Sequence, residues 1–428
     1  MNFDRMRALL LDQAIRGELV PQLAEEGVVE IGAIAPEAFK LPKTWKWLTL
    51  KSLVIPTKQI IPEESFTYLD VSSIKNFQID EIKRLDPSNA PSRARKVVQP
   101  GMVLFATVRP YLKNICVSPE LPGQVIASTA FATMTCSKDL NNRYLFYFLR
   151  SDFFTDLVKS KQRGISYPAI SEKDFYALPV PVPPLDEQIR IVAKLEEAFA
   201  EIDRAEKAYQ ELQTLSGVLR GQILQKAIQG KLVPQLDSEE EVQQIGDAPE
   251  DVPFTIPEKW KWVTLLSLGT TYTGTTPSTS KKEYFGKDIP FVKPGDIDRY
   301  LLTYREDGLS SVARDVARLV PKNSLLMVCI GGSIGKVAIC DREVSFNQQI
   351  NAIVSDEESV LSRYLFVVMR SAYFQDEVWG NATGTATPII NKSRWGKILI
   401  PLPPIKEQAR IVAKVDDLLK HVEALSAK

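Results

Sequence analysis

Histidine is nearly missing from this chain: 428 residues contain one, His421. Imidazole is the commonest acid–base group near neutral pH and a frequent zinc ligand, so the sequence argues against both chemistries. Cysteine is almost as scarce. Cys116, Cys136, Cys329 and Cys340 show no C-x-x-C spacing. That pattern argues against a zinc knuckle and points to unpaired thiols in a reducing cytosol, hence a cytoplasmic protein. No apolar run approaches the ~18 residues of a membrane helix. The opening stretch MNFDRMRALLLDQAIRGELV carries Asp4, Asp12 and Glu18 and reads as an amphipathic helix, not a signal peptide. Excess charge is missing too, since 53 Lys/Arg balance 53 Asp/Glu.

Nucleotide motifs are also lacking. No G-x-G-x-x-G follows a predicted strand. GGSIGK imitates a phosphate loop, but the first glycine of that loop would fall at Ile330, and Val337 stands where a hydroxyl would hold magnesium. PVPP and PLPP lack the flanks of an amino-methyltransferase loop, and no carboxylate–lysine nuclease cluster is evident. The sequence offers no catalytic centre and no site for a metal or cofactor.

What is present is a repeat. LLDQAIRGELVPQL (residues 10–23) matches ILQKAIQGKLVPQL (223–236). LPKTWKWLTLKSL (41–53) matches IPEKWKWVTLLSL (256–268), and RYLFYFLRS (143–151) matches RYLFVVMRS (363–371). PVPPLDEQIRIVAKL (181–195) matches PLPPIKEQARIVAKV (401–415) at ten of fifteen positions. The matches are collinear over half the chain, so the unit is a duplicated domain and not a solenoid. Residues 55–100 and 270–320 share almost nothing. The frame repeats and its content does not, which suits two modules with different targets better than neutral drift.

The balanced charge hides a segregation. Residues 43–180 hold 19 Lys/Arg against 12 Asp/Glu, and residues 256–400 hold 18 against 15. The acid excess lies outside both blocks. The bias is modest and does not by itself establish nucleic-acid binding.

Residues 185–229 read as one long helix. Apolar residues recur from Leu185, Ile189 and Val192 to Ile223 and Ala227 in steps of three and four, the spacing of a coiled coil. Gly217 and Gly221 are candidate kinks, and Gly230 and Pro234 end the pattern. The second copy begins the same helix at Ile405, and the N-terminal residues supply its missing half. The predicted fold is therefore α+β: two mixed, mainly β domains separated by two long antiparallel helices. The arrangement is pseudo-two-fold and circular, with the chain ends as neighbours. The expected segments are 1–23 (a helix completing the C-terminal one), 24–184 (first domain), 185–236 (central helix), 237–403 (second domain) and 404–428 (C-terminal helix). Runs such as GMVLFATV (101–108), VIASTAFATM (125–134), SLLMVCI (324–330) and INAIV (350–354) predict buried strands, and the RYLF segments predict helices.

At P-x-P-P-[LI]-x-E-Q-x-R-I-V, present at residues 181–192 and 401–412, the chain resembles the specificity subunit of type I restriction-modification systems. The resemblance covers essentially the whole length. It implies two target-recognition domains, each reading half of a bipartite, asymmetric site in double-stranded DNA. It implies helices that dock two methylation subunits, which restriction subunits can join. S-adenosylmethionine, ATP and magnesium would then belong to those partners, and this chain would do no chemistry itself. Glu187, Gln188 and Arg190, with Glu407, Gln408 and Arg410, are the expected partner contacts. A specificity subunit serving a fused nuclease-methylase would look the same. A lone DNA enzyme and a structural coiled-coil adaptor are the readings from other classes. Methyl transfer without a partner would establish the first, and selective DNA binding lost on exchanging residues 55–170 would rule out the second.

Candidate DNA contacts follow from side-chain chemistry. In the first module they are Arg93, Arg95 and Lys96 for phosphate. Arg109 and Lys113 in TVRPYLKN, and Arg163, Ser166 and Tyr167 in RGISYPAI, suit bases or backbone. In the second they are Ser333 and Lys336 in GGSIGK, Thr385 and Thr387 in GTATP, Lys293 in FVKPGD, and Asn347, Gln348 and Gln349 in FNQQ. Each also reads as a solvated side chain or turn former.

Overall fold

A computed structural model of the chain describes residues 1–30, 35–164, 167–298 and 300–427. Its contacts divide it into two units, Met1–Tyr209 and Gln210–Lys428. Each is β-rich, and one helix, Leu185–Ile228, begins in the first and ends in the second. That helix runs unbroken through Gly217 and Gly221. Each glycine costs about 1 kcal/mol of helix propensity against alanine; within 44 residues of otherwise helical spacing this is not enough to break it.

In the first unit the N-terminal helix Phe3–Arg16 packs antiparallel on the start of the long helix. Phe3 meets Tyr209 with ring centroids 6.0 Å apart, and Arg7 bridges Asp203 (2.7 Å) and Glu206 (2.5 Å). Gly17 ends the N-terminal helix at φ 75°, and a Cβ there would strike Pro42. In the second unit the end of the long helix shares one apolar cluster with the C-terminal helix Ile405–Ala427. Gly230 closes it at φ 69°, where a Cβ would strike Pro257. The repeated glycine is thus required twice, by conformation and by close approach.

The W-x-W segments are strands. Lys46–Thr49 pairs antiparallel with Pro179–Val182, setting Trp47 opposite Pro181. Lys261–Thr264 pairs the same way with Leu399–Leu402, setting Trp262 opposite Pro401. A two-stranded ribbon tolerates these prolines because their missing N–H groups face no further strand. The first unit then holds two four-stranded sheets. One runs Lys83–Leu85, Phe66–Leu69, Gln124–Ser128, Ala94–Val98, and its middle pair is parallel. The other runs Val54–Pro56, Phe131–Cys136, Val103–Ala106, Ile115–Val117. The second unit repeats the latter as Gly269–Thr273, Ile350–Ser355, Leu325–Val328, Val337–Ile339. Its other main sheet has three strands, Phe291–Val292, Val344–Phe346 and Leu319–Val320, and it too contains one parallel pair, Phe291–Val292 with Val344–Phe346.

One expected strand divides. The run 125–134 becomes two strands, because Ala130 turns out of line and its carbonyl takes the Thr107 amide (2.8 Å) and hydroxyl (2.9 Å). Each RYLF helix stops at a serine that starts the next helix. The Ser151 hydroxyl accepts from the Phe154 amide (3.1 Å) and that of Ser371 from Phe374 (3.3 Å), the usual service of an N-cap. All four cysteines are free, and burial pushes the Cys116, Cys136 and Cys329 thiols up to about 12. Among the described residues no helix is long and apolar enough to cross a membrane.

Candidate nucleic-acid interface

Two loops meet at one edge of the first unit. Arg109 sits at φ 50° and donates its amide to the Pro168 carbonyl (2.7 Å). Arg163 and Ala169 exchange both backbone hydrogen bonds (2.8 and 2.9 Å), and Ile170 donates to Thr107 (3.0 Å). The loops are therefore stitched to each other and to the sheet. Their pairing sets the Arg109 guanidinium over the exposed Tyr167 ring, 4.7 Å from its centroid. Arg163 is exposed beside it. Ser166 lies outside the described residues. Left-handed backbone at a side chain as bulky as arginine is uncommon and concentrates at functional loops. Sequence patterning missed the tip of the first loop, where Tyr111 and Leu112 are about half exposed; nothing in TVRPYLKN distinguishes an exposed apolar pair from a buried one.

The same stitching recurs in the second unit with other chemistry. Gly331 donates to Pro388 (2.9 Å), Thr383 and Ile389 exchange hydrogen bonds (2.9 and 2.8 Å), and Ile390 donates to Cys329 (3.0 Å). This loop pair brings together Ser333, Thr385 and Thr387, the last two exposed. Lys336 turns toward Asp298 (3.9 Å) and is half exposed. The FNQQ turn joins the base of this pair, where the Cys329 amide donates to the Gln349 carbonyl (2.7 Å); Asn347 donates to the Gln349 side chain (3.0 Å), and Gln348 accepts from Thr276 (2.6 Å). Lys293 pairs with Asp307 (3.7 Å).

Arg93 is exposed and Arg95 half-buried on the strand Ala94–Val98. Lys96, on the same strand, faces inward at 3% exposure. Its amine donates to the Phe131 carbonyl (2.6 Å) and pairs with Glu172. A phosphate cannot reach it, because strand alternation turns every second side chain to the core. Lys113 is held by the Arg150 carbonyl (2.9 Å) and Asp152 (2.8 Å), so it braces the loop from behind.

The glutamate and glutamine of each E-Q-x-R motif are likewise turned inward, whereas Arg190 and Arg410 stay about 30% exposed. Glu187 accepts from Trp45 Nε1 (3.0 Å) and Gln22 Nε2 (3.1 Å). Gln188 accepts from the Asn141 amide (2.7 Å) and donates to the Asp139 and Pro183 carbonyls (both 2.9 Å). Arg190 clasps Glu26 through two nitrogens (2.7 and 2.6 Å) and donates to the Pro21 carbonyl (3.0 Å). The second copy is the same device. Glu407 accepts from Trp260 (2.9 Å) and Gln235 (2.6 Å); Gln408 accepts from the Leu361 amide (2.8 Å) and donates to the Ser359 and Pro403 carbonyls (3.1 and 2.9 Å); Arg410 donates to Glu239 through two nitrogens (3.1 and 2.7 Å) and to the Pro234 carbonyl (3.0 Å). Glu187, Gln188, Glu407 and Gln408 are at most 1% exposed. Burial holds the Glu187 and Glu407 carboxyls above their ordinary value, against the opposing hydrogen bonds. The Arg190 fork holds Glu26 below its own. The motif recurs because it locks helix, ribbon and VPQL segment together. The VPQL repeat itself was a legible signal, since Gln22 and Gln235 are its glutamines.

Residues 118–214 and 257–428 match the family model of the type I restriction modification DNA specificity domain. The chain is 24% identical over 403 residues to the HindI specificity subunit of Haemophilus influenzae, covering 82% of this chain and 84% of that relative. Its fold superposes with TM-score 0.73 at 28% identity on a chain from a structure described as showing complex assembly and conformational transition of the type I R-M system, covering 91% of this chain and 93% of that one. It superposes with TM-score 0.61 at 29% identity on an HsdS subunit from Thermoanaerobacter tengcongensis, covering 91% and 92%. With a repeated frame, two stitched loop pairs and a family match over more than half its length, the chain belongs to the type I restriction-modification DNA specificity family.

Proposed function

We propose that this chain is the DNA-reading subunit of a type I restriction-modification complex and catalyses nothing itself. Each unit reads one half of a bipartite site, and the site is asymmetric because the two loop pairs differ. One observation carries this reading: the same backbone stitching presents Arg109 and Tyr167 in one unit and Ser333, Thr385 and Thr387 in the other. Arg93, Arg95 and Arg163 supply phosphate contacts that set register, and the loop tips supply base contacts. Two methylation subunits dock on the frame helices, and restriction subunits join them. Glu187, Gln188, Glu407 and Gln408 are buried, so docking falls to exposed apolar helix positions such as Met6, Leu9, Leu215 and Val218, with Arg190 and Arg410 partly exposed. S-adenosylmethionine, ATP and magnesium act on those partners. Methylome sequencing of cells expressing the chain with its methylation partner tests the proposal. One bipartite motif, absent when this chain is omitted, is the expected result. Methyl transfer by the purified chain alone overturns it.

A further inference from the structure

The repeated RYLF helices each end in an arginine that makes an unusual set of contacts. Arg150 lies over Phe77 at 3.8 Å, Phe146 at 5.0 Å, Tyr147 at 5.3 Å and Phe199 at 5.4 Å. Arg370 lies over Tyr300 at 4.5 Å and Phe366 at 5.0 Å. The Nε of each is buried with no hydrogen-bond partner. Burial lowers both guanidinium groups, Arg150 to about 10. Phe146 and Phe366 belong to the repeated frame, but Phe77 and Tyr300 come from the stretches that share almost no sequence.

The two outside rings arrive by the same route. Phe77 tips the hairpin of Ile74–Lys75 and Gln78–Ile79, and Tyr300 tips the hairpin of Ile297–Asp298 and Leu301–Leu302. Phe77 sits at φ 64° and Tyr300 at φ 69°. Such a tight turn favours glycine there, and an aromatic side chain in left-handed backbone costs about 1 kcal/mol. Each ring also meets its frame phenylalanine edge-on at 6.3 Å, with interplanar angles of 85° and 82°. Two stretches with almost no sequence in common thus both place a strained aromatic over the matching arginine. Strain of this kind persists where a specific contact offsets it, and cation–π stacking over a desolvated guanidinium is strong enough.

We infer that Phe77 and Tyr300 are positioning residues: each latches its recognition layer to the frame through Arg150 or Arg370 and thereby fixes the reading loops. The connection to the loops is direct. Asn114 donates to the Val71 carbonyl (3.1 Å) just before the first hairpin, and Lys113 donates to the Arg150 carbonyl (2.9 Å). In the second unit Lys336 faces Asp298 of the hairpin (3.9 Å). A module transplanted onto this frame therefore needs an aromatic hairpin tip.

The full chain tests this with two readouts, of which the DNA readout rests on the function proposed above. Phe77→Leu keeps an apolar side chain and removes the ring; Phe77→Tyr borrows the other unit's residue. Phe77→Leu is expected to speed amide exchange in residues 74–79 about tenfold, with 297–302 unchanged. With the methylation partner present, it is expected to lose discrimination at one half-site about tenfold and none at the other. Tyr300→Leu gives the mirror result, and Phe77→Tyr and Tyr300→Phe restore both readouts. Wild-type exchange in the leucine variants, equal effects of leucine and the exchanged aromatic, or faster exchange without any change in discrimination each overturn the inference. If the wild-type complex does not discriminate between sites, the proposed function fails, and amide exchange still decides the latch.

Discussion

In one unit the stitched loops present a tyrosine ring under an arginine; in the other they present glycine, serine and threonine. A few residues away the two units are spelled almost alike. The difference follows the kind of constraint. The E-Q-x-R side chains meet fixed partners at hydrogen-bond distance inside a dry interior, and a substituted group there leaves buried amides and carbonyls unpaired. The sheets need only apolar alternation, so their strands keep pairing while their letters change. The loop tips face water and carry no such constraint. A frame with exact polar contacts and loops with few is what lets one architecture hold two readers.

The largest expected effect breaks the comparison at the level of whole modules. Replacing residues 43–180 with the matching module of another family member should change one half-site completely and leave the other intact, read by methylome sequencing. Two changed half-sites would mean that the units do not read independently. The next effect tests whether the frames are equivalent. Gln188→Ala and Gln408→Ala each strand a buried amide and two carbonyls. Each should cost about 3 kcal/mol of the stability of its own unit, measured by denaturant unfolding with hydrogen-exchange readout in each half. Costs differing by more than about 1 kcal/mol would show that the two frame contacts at Gln188 and Gln408 have diverged after all. A third, smaller effect separates the loops. Removing Arg109 and Tyr167 together should weaken DNA binding about tenfold, since a stacked cation contributes both charge and surface. Removing Thr385 and Thr387 should weaken it about threefold and flatten the salt dependence less. Titrations at two salt concentrations would check both, and equal losses would argue that the loop chemistry is not what distinguishes the units.

Much of this was legible in the sequence, and what was not has a physical reason. The duplication, the long helix and the α+β class followed from repeat and period; the pairing of W-x-W with P-x-P did not. Period cannot show which polar residues turn inward. Lys96 on a short strand and Glu187 on a helix start look solvent-facing until the partners Glu172, Trp45 and Gln22 are placed around them. The interiors looked unrelated because letters were compared. In space Phe66–Leu69 and Phe291–Val292 hold the same parallel pairing, and the hairpins after them deliver Phe77 and Tyr300 to the same place. An aromatic at a glycine-favouring turn position has no sequence signature of its own. Of the loop candidates, Arg109, Arg163 and Tyr167 do converge, because RGISYPAI and TVRPYLKN are partners in a backbone ladder that single-segment patterning does not reveal.

The smallest effect concerns the two buried carboxyls. Glu187 and Glu407 are held above the ordinary value of 4.5, mainly by burial. A carboxyl whose folded value is raised binds its proton more tightly in the folded state, so folding is favoured at low pH. That contribution is complete below the unfolded value and is lost as pH rises through the folded one. Glu26, held low by Arg190, runs the other way: its contribution is present above its unfolded value and lost as pH falls through the lowered one. In the first unit the two trends oppose each other. The substitution Glu187→Gln keeps a carbonyl for Trp45 and removes the rising-pH loss, so the first unit's stability should fall less between pH 4 and pH 7 than the wild type's does. The substitution Glu407→Gln should do the same in the second unit. Unfolding midpoints across that range, followed by hydrogen exchange in each half, would show it. A wild-type stability that rises from pH 4 to pH 7 and keeps the same slope in both variants would mean that burial does not govern these carboxyls. The E-Q-x-R contacts would then owe their strength to the Arg190–Glu26 and Arg410–Glu239 clasps alone.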